Sequence, residues 1–259
     1  MKRTPVSLSP DAFPSIFLPW IKDTPLFDSS CSPEARVWFL DKEDGFYLKS
    51  APAGSLDTEA QQTRYFHQKG LGPEVLEYIS LDRDWLLTRR VSGEDCIHRQ
   101  YLEDPARLSV LLGELLRKLH ESDPQGCPLR DHTGQYLNTV RKNYAAGLFD
   151  SSGSYHNCTD REEAIAIVRE FAPQLKRDTL LHGDYCLPNI MLDGWRFSGF
   201  IDVGRGGIGD RHVDLYWGAW SLLFNLKDDR WCSRFLDAYG RELIQPELLR
   251  AIGAFEVFG

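Results

Sequence analysis

Apolar and polar residues alternate in short runs through the first ninety positions and then switch to a helical spacing. RVWFL (36–40) and FYLKS (46–50) each have the two-residue period of a strand, and Asp44-Gly45 between them is turn chemistry, so the pair predicts an antiparallel hairpin. TEAQQTRYFHQK predicts a helix from Thr58 to Gly70, with Gly72-Pro73 barring its continuation. EVLEYIS and DWLLT supply two more strands around the polar turn Asp82-Arg83-Asp84, and residues 89–93 read as a connector.

Beyond the connector the pattern is mostly helical. DPARLSVLLGELLRKLH has Asp104 as a cap, Pro105 at the first helical position, and Leu108, Leu111, Leu112, Leu115, Leu116 and Leu119 on one face. TDREEAIAIVREF offers a capping box, Thr159 with Glu162, ahead of Ile165, Val168 and Phe171. Further helices are predicted over His212–Asn225, Trp231–Tyr239 and Pro246–Phe255. The expectation is an α+β, bilobal chain: a small β-rich lobe over residues 1–90 and a larger, mainly helical lobe over 91–259, an arrangement that makes a cleft.

Composition narrows the function. At 259 residues, 42% hydrophobic and 26% charged, the chain has the proportions of a soluble globular protein. A formal charge of −8 disfavours a nucleic-acid partner, which needs a basic face, and permits a cationic ligand. No stretch approaches the roughly 18 apolar residues of a membrane span, and prolines interrupt the apolar N-terminal residues where a signal peptide would be continuous. Six scattered cysteines without a CxxC pair suit a reducing compartment. The expected setting is cytoplasmic, as a monomer or weak dimer without membrane partners.

One stretch carries the chemistry. LLHGDYCLPNIML runs strand, loop, strand and puts Asp184 and Asn189 on the loop; Asp202 follows at the end of SGFI, before VGRGGIG. Phosphoryl transfer needs charge neutralised on phosphates, a metal held by oxygens and an aligned hydroxyl. Mg²⁺ takes hard oxygen ligands and keeps waters, so one Asn, one Asp and phosphate oxygens suffice. Lys49 at the end of FYLK is placed to reach phosphates, and Glu59 on the next helix to hold that lysine. Taken singly, each is a surface lysine, a solvated helix residue or a turn former; their joint order is what points to a site.

HGDYCLPN followed by GFIDVGR, with YLK and a helical Glu upstream, resembles the aminoglycoside 3'-phosphotransferases, which share a protein-kinase-like fold. The resemblance spans nearly the whole chain, including RDWLLTRRVSGED and DRHVDL. It implies that Asp184 is the catalytic aspartate that orients the acceptor hydroxyl, that Asn189 and Asp202 hold Mg²⁺, and that Lys49 contacts the ATP phosphates while pairing with Glu59. It further implies adenine binding by the backbone at Arg89 and Val91, and a structural role for Asp214 beneath the catalytic loop. Gly183 stands where protein kinases carry an arginine, and the segment 202–210 is too short for an activation loop, so a small-molecule acceptor is expected. No glycine-rich loop is present; Ser29 to Ser32, Ser32 among them, are expected to approach the phosphates.

The acceptor half departs from the family. AGLFDSSGSYHNC offers only Asp150, and Phe224 and Asn225 stand about where acids are usual, while Glu256 is expected to bind an amine, Phe258 to pack near a sugar ring and Arg205 to line the same site. The leading expectation is an ATP-dependent kinase acting on an aminoglycoside hydroxyl, the 3' position first, and so conferring resistance. The alternatives are a kinase of another small hydroxyl or amino-sugar metabolite, or a nucleotide-binding module without catalysis.

Overall fold

The computed structural model of the chain describes residues 3–31, 33–152 and 158–259. They form two compact units, Met1–Asp95 with Met191–Gly204, and Cys96–Ile190 with Arg205–Gly259. The segment that ends in Asp202 therefore folds with the first unit, a return that no single cut near residue 90 describes.

The first unit is built on a six-stranded antiparallel sheet. In chain order it holds β1 (Thr4–Val6), the short helix α1 (Leu18–Ile21), β2 (Leu26–Asp28), β3 (Arg36–Leu40), β4 (Phe46–Pro52), α2 (Asp57–Gln68), β5 (Val75–Ser80) and β6 (Arg83–Arg89), with strand order β1-β2-β3-β4-β6-β5. The β3–β4 hairpin pairs Arg36 with Ser50 and Leu40 with Phe46. Its turn requires Gly45, which has φ of 97° and whose missing Cβ would stand 2.6 Å from the Phe39 ring. The two-residue period of β4 sends Phe46 and Leu48 into a core with Phe13, Phe17, Leu26, Leu40 and Trp85. Lys49 and Ala51 face the other way, where Ala51 packs with Leu56 and Ala60 at the start of α2.

That helix begins one residue earlier than Thr58. The Leu56 N–H is held at 2.8 Å by Oδ2 of Asp84, a fully buried residue that belongs to β6 and not to a turn. β1 and β2, three residues each, are too short to show a period in the sequence.

β7 (Glu94–Asp95) ends the first stretch of the first unit, and the second unit runs through α3 (Arg99–Leu102), α4 (Pro105–His120), α5 (His132–Ala145), α6 (Arg161–Phe171) and β8 (Thr179–Leu181). Asp104 caps α4 as expected, accepting the Arg107 N–H at 3.1 Å. α5 was not expected. The cap of α6 is Asp160, accepting the Glu163 N–H at 2.7 Å, so the box predicted on Thr159 and Glu162 is displaced by one residue.

β9 (Ile190–Asp193) and β10 (Arg196–Phe200) belong, from Met191 on, to the first unit and form a three-stranded sheet with β7, in the order β10-β9-β7. In the second unit β11 (Gly207–Gly209) pairs antiparallel with β8, and α7 (His212–Leu226), α8 (Arg230–Tyr239) and α9 (Pro246–Glu256) complete it. α4 and α8 approach closely at Gly113, where a Cβ would lie 2.5 Å from the Phe235 carbonyl oxygen. No helix among the described residues is long and apolar enough to cross a membrane.

Candidate active site

The first unit brings three of the expected residues together. Lys49 Nζ lies 2.9 and 2.7 Å from the two Glu59 carboxylate oxygens and 3.1 Å from Asp202 Oδ1. Lys49 reaches them because its face of β4 is the face that α2 covers. Burial works against the ammonium, but the Asp202 and Glu59 carboxylates outweigh it and raise the Lys49 pKa, so the charge is kept. Burial pushes the Glu59 carboxyl up, with Lys49 opposing. Asp202 is more than half exposed at 54% and sits in the left-handed region, φ 57°, a conformation that costs a non-glycine residue and recurs at functional sites. Two residues on, Gly204 lets the chain press against α2, where a Cβ would come within 2.9 Å of Glu59 Cβ.

The second unit fixes the loop between β8 and β9. Asp214, near the start of α7, is fully buried and accepts the backbone N–H groups of His182 at 2.7 Å and Gly183 at 2.8 Å, while His120 Nε2 stands 3.1 Å from it. Burial raises the Asp214 pKa, but His120 and the His182 N–H more than offset it and hold the carboxyl below its usual value. Asn189, in a short 3-10 turn over Leu187–Asn189, donates its amide to the Asp184 carbonyl at 3.0 Å and to Asp184 Oδ2 at 2.9 Å. The two donors spend the amide nitrogen and leave the amide oxygen, a hard donor, uncommitted to that pair. Asp184 itself is half-buried.

Asp150, Arg205 and Glu256 lie on the second unit as well. Glu256, half-buried at the end of α9, accepts the Tyr136 hydroxyl at 2.6 Å. Burial pushes its carboxyl up to about 7, against the favourable influence of Tyr136, Arg205 and Trp217 and with the Asp184 charge adding to the rise. Asp150 is exposed, and its backbone N–H bonds the Val257 carbonyl at 2.9 Å, which ties it to the residue after Glu256.

Two expectations need correction, and two concern backbone groups. Phe258 is 2% exposed and packs against Tyr144 and Phe149 in the core, so its ring is not offered to a sugar. The Ser29 N–H bonds the Val37 carbonyl and the Ser30 N–H bonds Oδ1 of Asp28, so these two backbone donors hold their own loop and are not offered to phosphates; Ser32 lies outside the described residues. Arg89 is the last residue of β6 and spends its side chain on Glu74 at 3.0 Å and its N–H on the Glu74 carbonyl at 2.9 Å. The Val91 side chain packs against Gly199.

Sequence reasoning missed Tyr136, Trp217 and His120. Tyr136 and Trp217 sit on helices and carry no motif; the LH that ends α4 was the one available signal for His120. Among the described residues no group of three or more His, Cys, Asp or Glu could hold a metal ion.

Residues 32–252 match the model of a family described as "Phosphotransferase enzyme family". This chain belongs to that family. A probable aminoglycoside 3'-phosphotransferase of Lactococcus lactis is 46% identical over 253 residues, covering 96% of each chain. An aminoglycoside 3'-phosphotransferase of Niallia circulans is 32% identical over 212 residues, covering 79% of this chain and 80% of that one. The crystal structure of an aminoglycoside 3'-phosphotransferase of type VIII superposes with a TM-score of 0.77 at 25% identity, over 91% of this chain and 94% of that one. These phosphotransferases and this chain share the protein-kinase-like fold expected from the sequence.

Proposed function

We propose that this phosphotransferase moves the γ-phosphoryl group of ATP to the 3'-hydroxyl of an aminoglycoside, a reaction that confers resistance by placing a dianion on a ligand chosen for its positive charge. The single observation that carries the reading is the pairing of Asn189 with Asp184, which fixes one oxygen of a half-buried carboxylate by an amide donor and orients the other. The relatives' names supply the acceptor class, and six scattered cysteines without a CxxC pair suit a reducing, cytoplasmic setting.

In the proposed reaction the acceptor O–H gives its proton to Asp184, its oxygen bonds the γ-phosphorus, and the bond to the β-phosphate oxygen breaks, so that ADP departs with the electron pair. Lys49, kept charged by Glu59 and Asp202, is assigned to the α- and β-phosphates. Asn189 and Asp202 are the assigned oxygen ligands of Mg²⁺, which when bound neutralises charge on the phosphates. The Arg89 carbonyl, its N–H being held by Glu74, and the Val91 backbone are assigned to adenine.

A second acceptor class, a less cationic hydroxyl or amino-sugar metabolite, draws support from α7. Its last turn presents Phe224, 56% exposed, with the Lys227 ammonium 4.4 Å over the ring, and a cation there repels a polycation. Coupled ADP release with Mg-ATP across aminoglycosides with and without a 3'-hydroxyl tests the reading. Turnover confined to acceptors that bear the hydroxyl is expected; turnover indifferent to it, or none, would overturn the assignment.

A further inference from the structure

Glu256 is gripped from two helices other than its own. Tyr136 on α5 brings its hydroxyl to 2.6 Å from Oε1, and the Trp217 indole on α7 donates to the same carboxyl group. The Tyr136 ring stacks on two neighbours: His132, at 5.9 Å and 21° from parallel, and Phe255, at 5.8 Å and 10° from parallel. Phe255 is fully buried and immediately precedes Glu256, so the stack that immobilises the donor also anchors the backbone of the acceptor. Stacked rings hold their mutual geometry at little entropic cost, because a tyrosine has two side-chain torsions to fix.

The remaining charges that bear on Glu256 come from Arg205, which favours the carboxylate, and Asp184, which disfavours it. Neither Tyr136 nor Trp217 carries charge, so the negative charge of Glu256 is oriented by them without being neutralised. A salt bridge in their place would have cancelled the group that a cationic ligand needs.

We propose that Tyr136 is a positioning residue of the acceptor site: held by the His132–Tyr136–Phe255 stack, its hydroxyl fixes the Glu256 carboxylate so that it receives a protonated amine of the acceptor. The inference rests on the functional reading above. Hydrogen bonding to the charged form favours that form, so the Tyr136 hydroxyl also extends the pH range over which the carboxylate persists. Acceptor binding weakens as pH falls through about 7, where Glu256 takes up a proton.

The test is steady-state kinetics of wild type, Tyr136→Phe, Glu256→Gln and the double variant, at several pH values, varying acceptor and ATP separately. Tyr136→Phe keeps the stacked ring and loses only the hydroxyl. It is expected to raise the acceptor KM about 10-fold, the usual weight of a hydrogen bond to a charged group, and to leave kcat and the ATP KM within about 2-fold. The acid limb of the acceptor KM moves to higher pH in Tyr136→Phe and is absent in Glu256→Gln, and the double variant is no worse than Glu256→Gln alone. An unshifted limb with a wild-type acceptor KM, additive effects in the double variant, or an equal rise in the ATP KM overturns the proposal. So does a wild-type enzyme that turns over only amine-free acceptors, which leaves phosphotransfer standing. Absence of any acceptor-dependent ADP release from wild type fails the functional reading instead, and it is seen before any variant is made.

Discussion

Asp214 holds Gly183 in place: its Oδ1 accepts the Gly183 N–H at 2.8 Å from a position that solvent does not reach. Its other oxygen takes the His182 N–H and faces His120. The backbone leading into Asp184 is therefore set by α7 and not by Asp184 itself. Asp214→Ala orphans two buried N–H groups and a histidine, and the expected loss is about 3 kcal/mol or more. Urea unfolding of Asp214→Ala and Asp214→Asn checks this, with the Asn variant intermediate because it keeps one acceptor oxygen.

Gly183 itself admits no side chain. Its φ is 84°, and a Cβ would fall 2.0 Å from the Arg205 carbonyl oxygen, a backbone atom that no rotamer change moves away. Gly183→Ala is expected to cost more than about 2 kcal/mol and to abolish turnover. Gly147, with φ of 75° and nothing within 4 Å of the same point, is the control, where only left-handed strain of about 1 kcal/mol is added.

The buried pair His120 and Asp214 predicts an acid limb of stability. Burial lowers the His120 pKa below its ordinary 6.5, so the folded protein holds the neutral ring while the unfolded chain takes up a proton below that pH. The stability this contributes is present above 6.5 and declines as pH falls toward the depressed folded value. Asp214, also depressed, adds its share above 3.8 and loses it as pH falls through its lower folded value. His120→Gln cannot titrate, so its stability deficit against wild type is expected to shrink as pH is lowered from about 8 to about 5. Guanidinium unfolding of both proteins at several pH values measures the gap.

Lys49 is the charge the nucleotide half depends on. Lys49→Met leaves Glu59 and Asp202 without their cation, and the expected result is a fall of about 10²- to 10³-fold in kcat/KM for ATP, the weight of one preorganised electrostatic contact. Lys49→Arg is not expected to restore it, because a planar fork does not replace a compact ammonium between two carboxylates. Kinetics at saturating acceptor read both.

The hairpin of β3 and β4, the leucine face of α4 and the order Lys49, Glu59, Asp184, Asn189, Asp202 were legible because each is written locally, in a period, a cap or a motif. α5 was not. HTGQYLNTVRKNYA buries only Leu137 and Val140 among its apolar residues, and its polar character masks a helix whose start is fixed by the Asp131 cap. Tyr136 was hidden with it, since its partner Glu256 is 120 residues away. The α6 cap slipped from Thr159 to Asp160 because both residues cap well, and burial of Ala164, Ile165 and Val168 decides the phase. Phe258 was misplaced for a related reason: nothing local says whether an aromatic residue faces a ligand or the rings of Tyr144 and Phe149.

The central claim is that Asp184 serves transfer to an acceptor hydroxyl. Transfer of γ-labelled phosphate from Mg-ATP to an aminoglycoside bearing a 3'-hydroxyl, by wild type and by Asp184→Asn, tests it most directly. The predicted result is a labelled 3'-phosphate from wild type and a rate lower by about 10²- to 10⁴-fold in the variant with ATP binding unchanged, the usual contribution of a positioned base. A variant that transfers label at the wild-type rate would contradict the account.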